Sequence, residues 1–505
     1  MAYMYGWNFA EMEAEAAETP LSAYIPADVY AFGNTGVTVG EGAPRISGIQ
    51  KLGDYRVRVV LTEPDATALY SLCIPVAPLH YYGDVSLYDY ENDRFGFEKG
   101  DLSSVRAKDA APLGAGPYTF VSYEDGRVTF KANERYYRGA PVTKEVQFVD
   151  AEDPDAVAQI VNGDLDIAAP SFTDEAAEEI LSVNGLAEDS GSLSGKTITV
   201  TPMNVLGYGY VGISANAVNV GGKPGSDASK NLRKAFATVF AAYRDESVRA
   251  YFGSRAKVID YPISDTSWAA PKPTDEGYKA AFSETADGKP IYTAGMTDEA
   301  RYAAALDAAL GYFAAAGYTV KNGKLAKAPR GAKMSYEIWI PADGTGNHPL
   351  YNMAQSAAAA LKKIGMNLVV KDPEDTSALW DGIMFETVPM WVAAWGSSVD
   401  PDMYQIYFSG SDAFEAGGSN YMYDISDETL NGLILAARNS TDRTERKRLY
   451  KQCLDIILDW AVEVPGYQRQ DAVLFSTERV DTASVAKDIT PYYGWMNEIE
   501  TLRMR

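Results

Sequence analysis

Apolar positions along the chain follow two rhythms, and the change between them divides it. From about residue 46 to 150, short runs alternate apolar and polar side chains, the period of a half-buried strand. "ISGIQKLGDYRVRVVLTEPD" places such runs on either side of Gly53-Asp54, and "YTFVSYEDGRVTFKA" on either side of Asp125-Gly126. Glycine beside aspartate tolerates the positive φ of a tight turn, so each stretch predicts a β-hairpin. "KEVQFVDA", "PDAVAQIVNGD" and "LDIAAPSF" then read strand, helix, strand, which predicts a parallel β-α-β unit. Beyond residue 225 the helical period takes over. Leu232, Ala235, Phe236, Val239, Phe240 and Tyr243 form one stripe behind a Ser226/Asp227 start. Thr297 is placed to cap "DEARYAAALDAALGYFAAA", and Gly317 suits its left-handed end. "MSYEIWIPA", "PLYNMAQSAAAALKKIG", "MNLVVKD" and "VPMWVAAW" follow as strand, helix, strand, strand, and Asp442 with Glu445 forms a capping-box pattern before "RKRLYKQCLDIILDW". The alternation predicts α/β architecture.

At 505 residues the chain exceeds one core, and several domains with a site between them are expected. A formal charge of −24 opposes binding to phosphate backbones, so nucleic acid is not an expected partner. The two cysteines, Cys73 and Cys453, lie in apolar runs without metal or redox spacing and read as core residues. His80 and His348 are the only histidines, which argues against a histidine-rich metal site, and neither accompanies a Gly-x-Ser-x-Gly elbow. No metal or cofactor is expected. No run approaches the roughly 18 apolar residues of a membrane span. "MAYMYGWNFAEMEAEAAETP" lacks the basic and continuous apolar regions of a signal peptide.

Three places carry candidate chemistry. Gly207, Gly209 and Gly212 in "GYGYVG" have dinucleotide-fingerprint spacing, but "ISANAVNVGGKPGS" follows where a helix would have to begin. The stretch reads instead as a flexible crossing where backbone approaches a ligand and Tyr208 and Tyr210 supply flat faces. In "AAWGSSVDPDMYQIYFSG", Asp400 and Asp402 flank Pro401. They suit the turn of a cleft wall, with a carboxylate-pair carbohydrate hydrolase as the alternative from another class. Trp268, in a loop bounded by prolines, reads as a ligand contact or a loop anchor.

Several stretches, in order, resemble the extracellular solute-binding proteins of ABC importers, family 5, the oligopeptide, dipeptide and nickel class. "PLGAGPYTFVSYEDGRVTFKANERYYRGAP" is similar to the family's Gly-x-Gly-Pro-Tyr hairpin and Asn-x-x-Tyr-Tyr-x-Gly signature, and "VNGDLDIA" to its "aGevDia" segment. "SKNLRKAFATVF", "FAAAGY" and "AAWGSSVDPDMYQIYFS" resemble its Arg-x-Ala helix, its Ala-Gly-Tyr helix end and its Trp-led Asp-Pro-Asp segment.

The resemblance implies a class II-type periplasmic-binding-protein clamshell: two α/β lobes joined by two crossings, with a smaller extra domain. Mapped here, 1–112 is a remnant of the extra domain, 113–207 part of lobe one, 208–480 lobe two and 481–505 a return to lobe one. Because the resemblance begins at Ile46, an amino-terminally truncated member is expected. The implied function is non-enzymatic capture of a small organic ligand, an oligopeptide first and a saccharide as the alternative, for delivery to a membrane permease. An extracellular or periplasmic location and a monomer are implied with it. The expected ligand contacts are Trp395, Ser397, Ser398, Asp400, Tyr208, Tyr210 and Trp268. Peptide-binding members place an aspartate three residues after the tryptophan, against the ligand's α-ammonium. Here that position is Ser398, with Asp400 as a conjectured substitute.

Overall fold

The computed structural model describes residues 47–505 except 99–100, 109, 151–154 and 411–417. Both predicted hairpins form. Strands β1 (Ile49–Gly53) and β2 (Arg56–Val59) pair antiparallel, as do β3 (Tyr118–Glu124) and β4 (Arg127–Ala132). Asp125 and Gly126 adopt φ of 51° and 72°, the left-handed pair a two-residue turn needs.

Strand β5 (Glu145–Val149) extends that second hairpin into an antiparallel three-stranded meander. It therefore does not pair with β6 (Ile167–Ala168), and the predicted parallel β-α-β unit is not formed. The elements exist, including helix α1 (Ala156–Asn162), but β5 and β6 lie in different sheets. Helix α2 (Asp174–Asn184) follows, capped by Thr173, and then come β7 (Ile198–Asn204) and β8 (Gly207–Ile213).

Helix α3 (Asp227–Phe252) buries Leu232, Ala235, Phe236, Val239 and Phe240 as its stripe requires, and Ser226 accepts from Ser229 N at 3.3 Å. Strand β9 (Ala256–Val258), helix α4 (Asp298–Ala315), β10 (Ser335–Trp339), α5 (Tyr351–Lys363), β11 (Asn367–Lys371) and β12 (Met390–Gly396) come next. The Thr297 oxygen caps α4 through Ala300 N at 3.3 Å, and Gly317 beyond it takes φ +93°. Helices α6 (Glu428–Asn439) and α7 (Arg443–Trp460) lead into the long strand β13 (Glu463–Ser476). Asp442 caps α7, while Glu445 turns to Arg448 instead of closing the capping box.

The main sheet runs β9-β13-β8-β12-β10-β11, with β10 parallel to both neighbours and the other pairs antiparallel. One face is covered by α3, α4 and α5 through Phe236, Phe313 and Leu361, the other by α6 and α7 through Ile434, Leu454 and Ile457. The far half of β13 leaves this sheet and pairs with β7 and β6. There Ile160, Ile180 and Leu474 form a core on one face, and Phe475, Val480 and Leu502 form one on the other.

Two strands thus join two lobes, one through Val205-Leu206 and one within β13 near Gln468. Val205 N donates to Arg469 O at 3.1 Å, and Gln468 Nε2 to Val205 O at 2.5 Å, so the crossings are bonded to each other. Gln468 also accepts from Ser264 Oγ and Asp265 N, which fastens the loop before Trp268 to the hinge.

Cys453 is buried as expected, but Cys73 is exposed, in a segment whose Leu69, Ile74 and Val76 are exposed too. An apolar run in sequence predicts burial only if another element covers it.

Candidate functional site

The glycines of "GYGYVG" have a packing explanation. Strand β8 lies between β13 and β12, and every residue of it is buried. A Cβ on Gly209 would meet the Tyr467 ring at 2.2 Å, one on Gly212 the Trp391 ring at 2.2 Å, and one on Gly207 the Trp395 carbonyl at 2.4 Å. The glycines make room for the protein's own rings, so the expected flexible segment open to ligand is instead a central strand. For the same reason Tyr208 and Tyr210, only 7% and 1% exposed, do not offer flat faces to solvent. They back the residue beside them. Trp395 is the cross-strand partner of Tyr208, and its indole stacks on Tyr210 with centroids 5.7 Å apart and planes 7° from parallel.

Trp395 ends β12 half-buried, and the chain then turns outward through exposed Gly396 and Ser398. Ser397 N donates to Leu206 O at 2.9 Å, tying this turn to the first crossing. Ser398 Oγ donates to Asp400 O at 2.6 Å. Trp395, Ser397 and Ser398 therefore stand together at the seam between the lobes.

Asp400 faces the other way. Its carboxylate is buried and takes a two-pronged bond from Arg446, Nη1 to Oδ2 at 2.8 Å and Nη2 to Oδ1 at 2.7 Å. Asp400, expected as a ligand contact, is held there because α7 presents Arg446 inside the lobe and the carboxylate is its hydrogen-bonded counter-charge. Trp268 belongs to the same cluster, with Arg443 4.7 Å and Arg446 5.5 Å from its ring and Tyr450 edge-on at 6.3 Å. Asp402 contacts Arg438 at 3.4 Å, and burial pushes its carboxyl above the usual range. Both carboxylates of the hydrolase alternative are thus paired with arginines, and Asp400 is sealed from substrate.

Beneath Trp395 lies a group that the periodicity did not single out. Glu463 opens β13 fully buried and accepts hydrogen bonds from Tyr208 at 2.8 Å, Tyr407 at 2.9 Å and Tyr423. Trp395 Nε1 donates to the Tyr423 oxygen at 3.0 Å. Burial raises the Glu463 carboxyl above its ordinary value, opposed by the tyrosine hydrogen bonds, and the same burial holds the three hydroxyls protonated. A lone glutamate in the apolar run "WAVEVPGY" was the available signal.

No motif or period in the sequence marks Tyr492. From lobe one it reaches Thr266 O at 3.4 Å in the loop before Trp268, a contact between lobes on the α7 side. On the α3 side, Arg255 of the main lobe pairs with Asp174 at the start of α2. Beside that pair is an open cavity of about 580 Å³ lined by Phe172, Glu188, Pro202, Arg255 and Gln470. No helix among the described residues is long and apolar enough to cross a membrane.

Comparison with known proteins agrees with this architecture. The oligopeptide-binding protein AppA from Bacillus subtilis, solved with a nonapeptide, superposes with a TM-score of 0.61 at 22% identity, covering 92% of this chain and 79% of that one. NikZ from Campylobacter jejuni, solved with Ni(L-His), gives 0.63 at 19% identity, covering 98% and 83%. At these identities the likeness concerns the fold. Among curated proteins, di/tripeptide-binding protein 2 of Pseudomonas aeruginosa is 29% identical over 115 residues, 23% of this chain; the match spans only 20% of the relative's length. The family model for bacterial extracellular solute-binding proteins, family 5 middle, matches residues 10–416, beginning ahead of the first motif recognised in sequence. That match takes in most of the chain, and the relatives are binding proteins rather than enzymes, so the chain belongs to the family 5 bacterial extracellular solute-binding proteins.

Proposed function

We propose that this protein captures a small organic solute, foremost a short peptide, between its two lobes and presents the closed form to the permease of an ABC importer at the outer face of the membrane. One observation carries the reading: the wall Trp395-Gly396-Ser397-Ser398 is fastened to the first crossing by Ser397 N and by strand pairing with β8. A ligand lying against it sits where lobe one can close over it, and binding favours closure only if the ligand touches both lobes. In this reading Trp395 supplies the apolar face, Gly396 and Ser397 main-chain groups and Ser398 a hydroxyl. Tyr208 and Tyr210 support Trp395, while Asp400 and Trp268 brace the turn behind it. Main-chain pairing gives affinity with little dependence on peptide side chains. The names of the relatives solved or curated with peptides support the peptide class.

The test is titration calorimetry with a defined pool of di- to pentapeptides, with bound species identified by native mass spectrometry. Trp395→Ala is expected to weaken binding by about tenfold or more, the order expected of a truncated aromatic hot spot. Unchanged affinity in that variant would remove the wall from the binding site.

A further inference from the structure

A buried carboxylate is an expensive way to fill a core. Its desolvation is repaid only by dense hydrogen bonding, and well-packed apolar side chains of similar volume are commonly as stable or more so. Glu463 nevertheless sits 0% exposed at the start of β13, with tyrosine hydroxyls from β8, from the short helix Tyr404–Tyr407 and from the end of the helical turn Asn420–Met422 converging on it. The chemistry of the acceptor explains what this arrangement achieves. Each of the three hydroxyls donates to a carboxylate oxygen, so Tyr208, Tyr407 and Tyr423 all turn their protons inward. Once the Tyr423 proton is committed to Glu463, its oxygen has lone pairs to offer outward, and Trp395 Nε1 donates to it at 3.0 Å. Stacking on Tyr210 fixes the plane of the indole, and this hydrogen bond fixes its rotation within that plane. A neutral amide at 463 would let one hydroxyl reverse, and the direction of the chain would no longer be set.

We infer that Glu463, acting through Tyr423, is a positioning residue that locks the indole of Trp395 in its orientation for ligand contact. This rests on the reading of Trp395 as part of the ligand wall and identifies what pre-organises it. Pre-organised side chains add affinity because their ordering cost is met before binding.

The test separates orientation from stability. In protein carrying ¹⁵N-tryptophan, the Trp395 indole N–H resonance is assigned by its loss in Trp395→Phe. In Tyr423→Phe and Glu463→Gln that resonance is expected to shift and broaden and its proton to exchange faster. Tyr423→Phe is expected to weaken binding of the peptide pool about five- to tenfold, as loss of one hydrogen bond of about 1 kcal/mol implies. In the Trp395→Phe background, which lacks the N–H, Tyr423→Phe is expected to add no further loss. An indole resonance unmoved in both variants overturns the inference, as does a Tyr423→Phe effect that simply adds to that of Trp395→Phe. A lower melting temperature with affinity unchanged would make the network structural only. If Trp395→Ala itself keeps full affinity, the ligand-wall reading fails instead, and the indole resonance still reports whether Glu463 orients the ring.

Discussion

Replacing Asp400 with alanine decides whether this carboxylate braces the turn or meets the ligand. The side chain is 5% exposed, and that of Arg446 beside it is 7% exposed. Two of the guanidinium's hydrogen bonds go to Asp400, and the others to Ala437 O at 3.0 Å and the Tyr450 hydroxyl at 2.8 Å, both neutral acceptors. Removing Asp400 leaves a buried cation without its hydrogen-bonded counter-charge, a defect that costs about 3–5 kcal/mol. The neighbouring pair sets the scale. Asp402 and Arg438 meet at 3.4 Å and are 19% and 25% exposed, so Asp402→Ala should cost no more than about 1 kcal/mol. Urea denaturation of the two variants, followed by circular dichroism and tryptophan fluorescence, measures the contrast directly. Replacing both partners of the buried pair, Asp400→Leu with Arg446→Met, should recover much of the loss because no charge remains stranded. The reasoning is refuted if Asp400→Ala costs less than about 1 kcal/mol. Full stability combined with lost peptide binding would return Asp400 to the ligand wall.

Two further outcomes follow from individual carboxylates. Burial first, and then the charge of Glu386, push the Asp424 carboxyl up to about 6, so the native state holds this proton more tightly than the unfolded chain does. Its contribution is therefore complete below about pH 4 and lost as pH rises through about 6; Asp424→Asn, suited to the φ of 55° there, should stabilise by about 1 kcal/mol at pH 7.5 after allowance for solvent screening, and the gain should vanish near pH 4 in paired denaturation curves. With Asp400 committed to Arg446 and Asp402 to Arg438, this segment offers no free carboxylate to a ligand ammonium, and N-acetylated and free peptides should bind within about threefold of each other by calorimetry. A preference for the free amine beyond about thirtyfold would mean that a carboxylate elsewhere takes that part.

What could be read from the sequence was whatever a short window determines. The Asp125-Gly126 turn, the stripe from Leu232 to Phe240 and the caps at Ser226, Thr297 and Asp442 depend on neighbours a few residues away, and each forms as its local chemistry requires. The strand at 145–149 was equally legible, but its partner was not. Period-two patterning states that a strand has a buried face, whereas pairing is chosen among distant strands, and β5 completes a hairpin beside it instead of joining β6. Cys73 shows the same limit for burial.

The site shows it most sharply. Trp395 and Ser398 share one contiguous stretch that a short window can read, whereas the counter-charge of Asp400 arrives from α7, 46 positions along the chain. A carboxylate's role is settled by what faces it. For Asp400 that is an arginine, which spends the charge inside the lobe. For Glu463 it is a ring of hydroxyls drawn from positions 208, 407 and 423, which passes the charge's directing influence outward to Trp395. Both acids are buried, and neither is free to bind or catalyse. One holds the turn and the other orients the ring, and the wall proposed for the ligand is then an indole, two serines and main chain, a surface that suits a ligand recognised by its backbone more than by its charge.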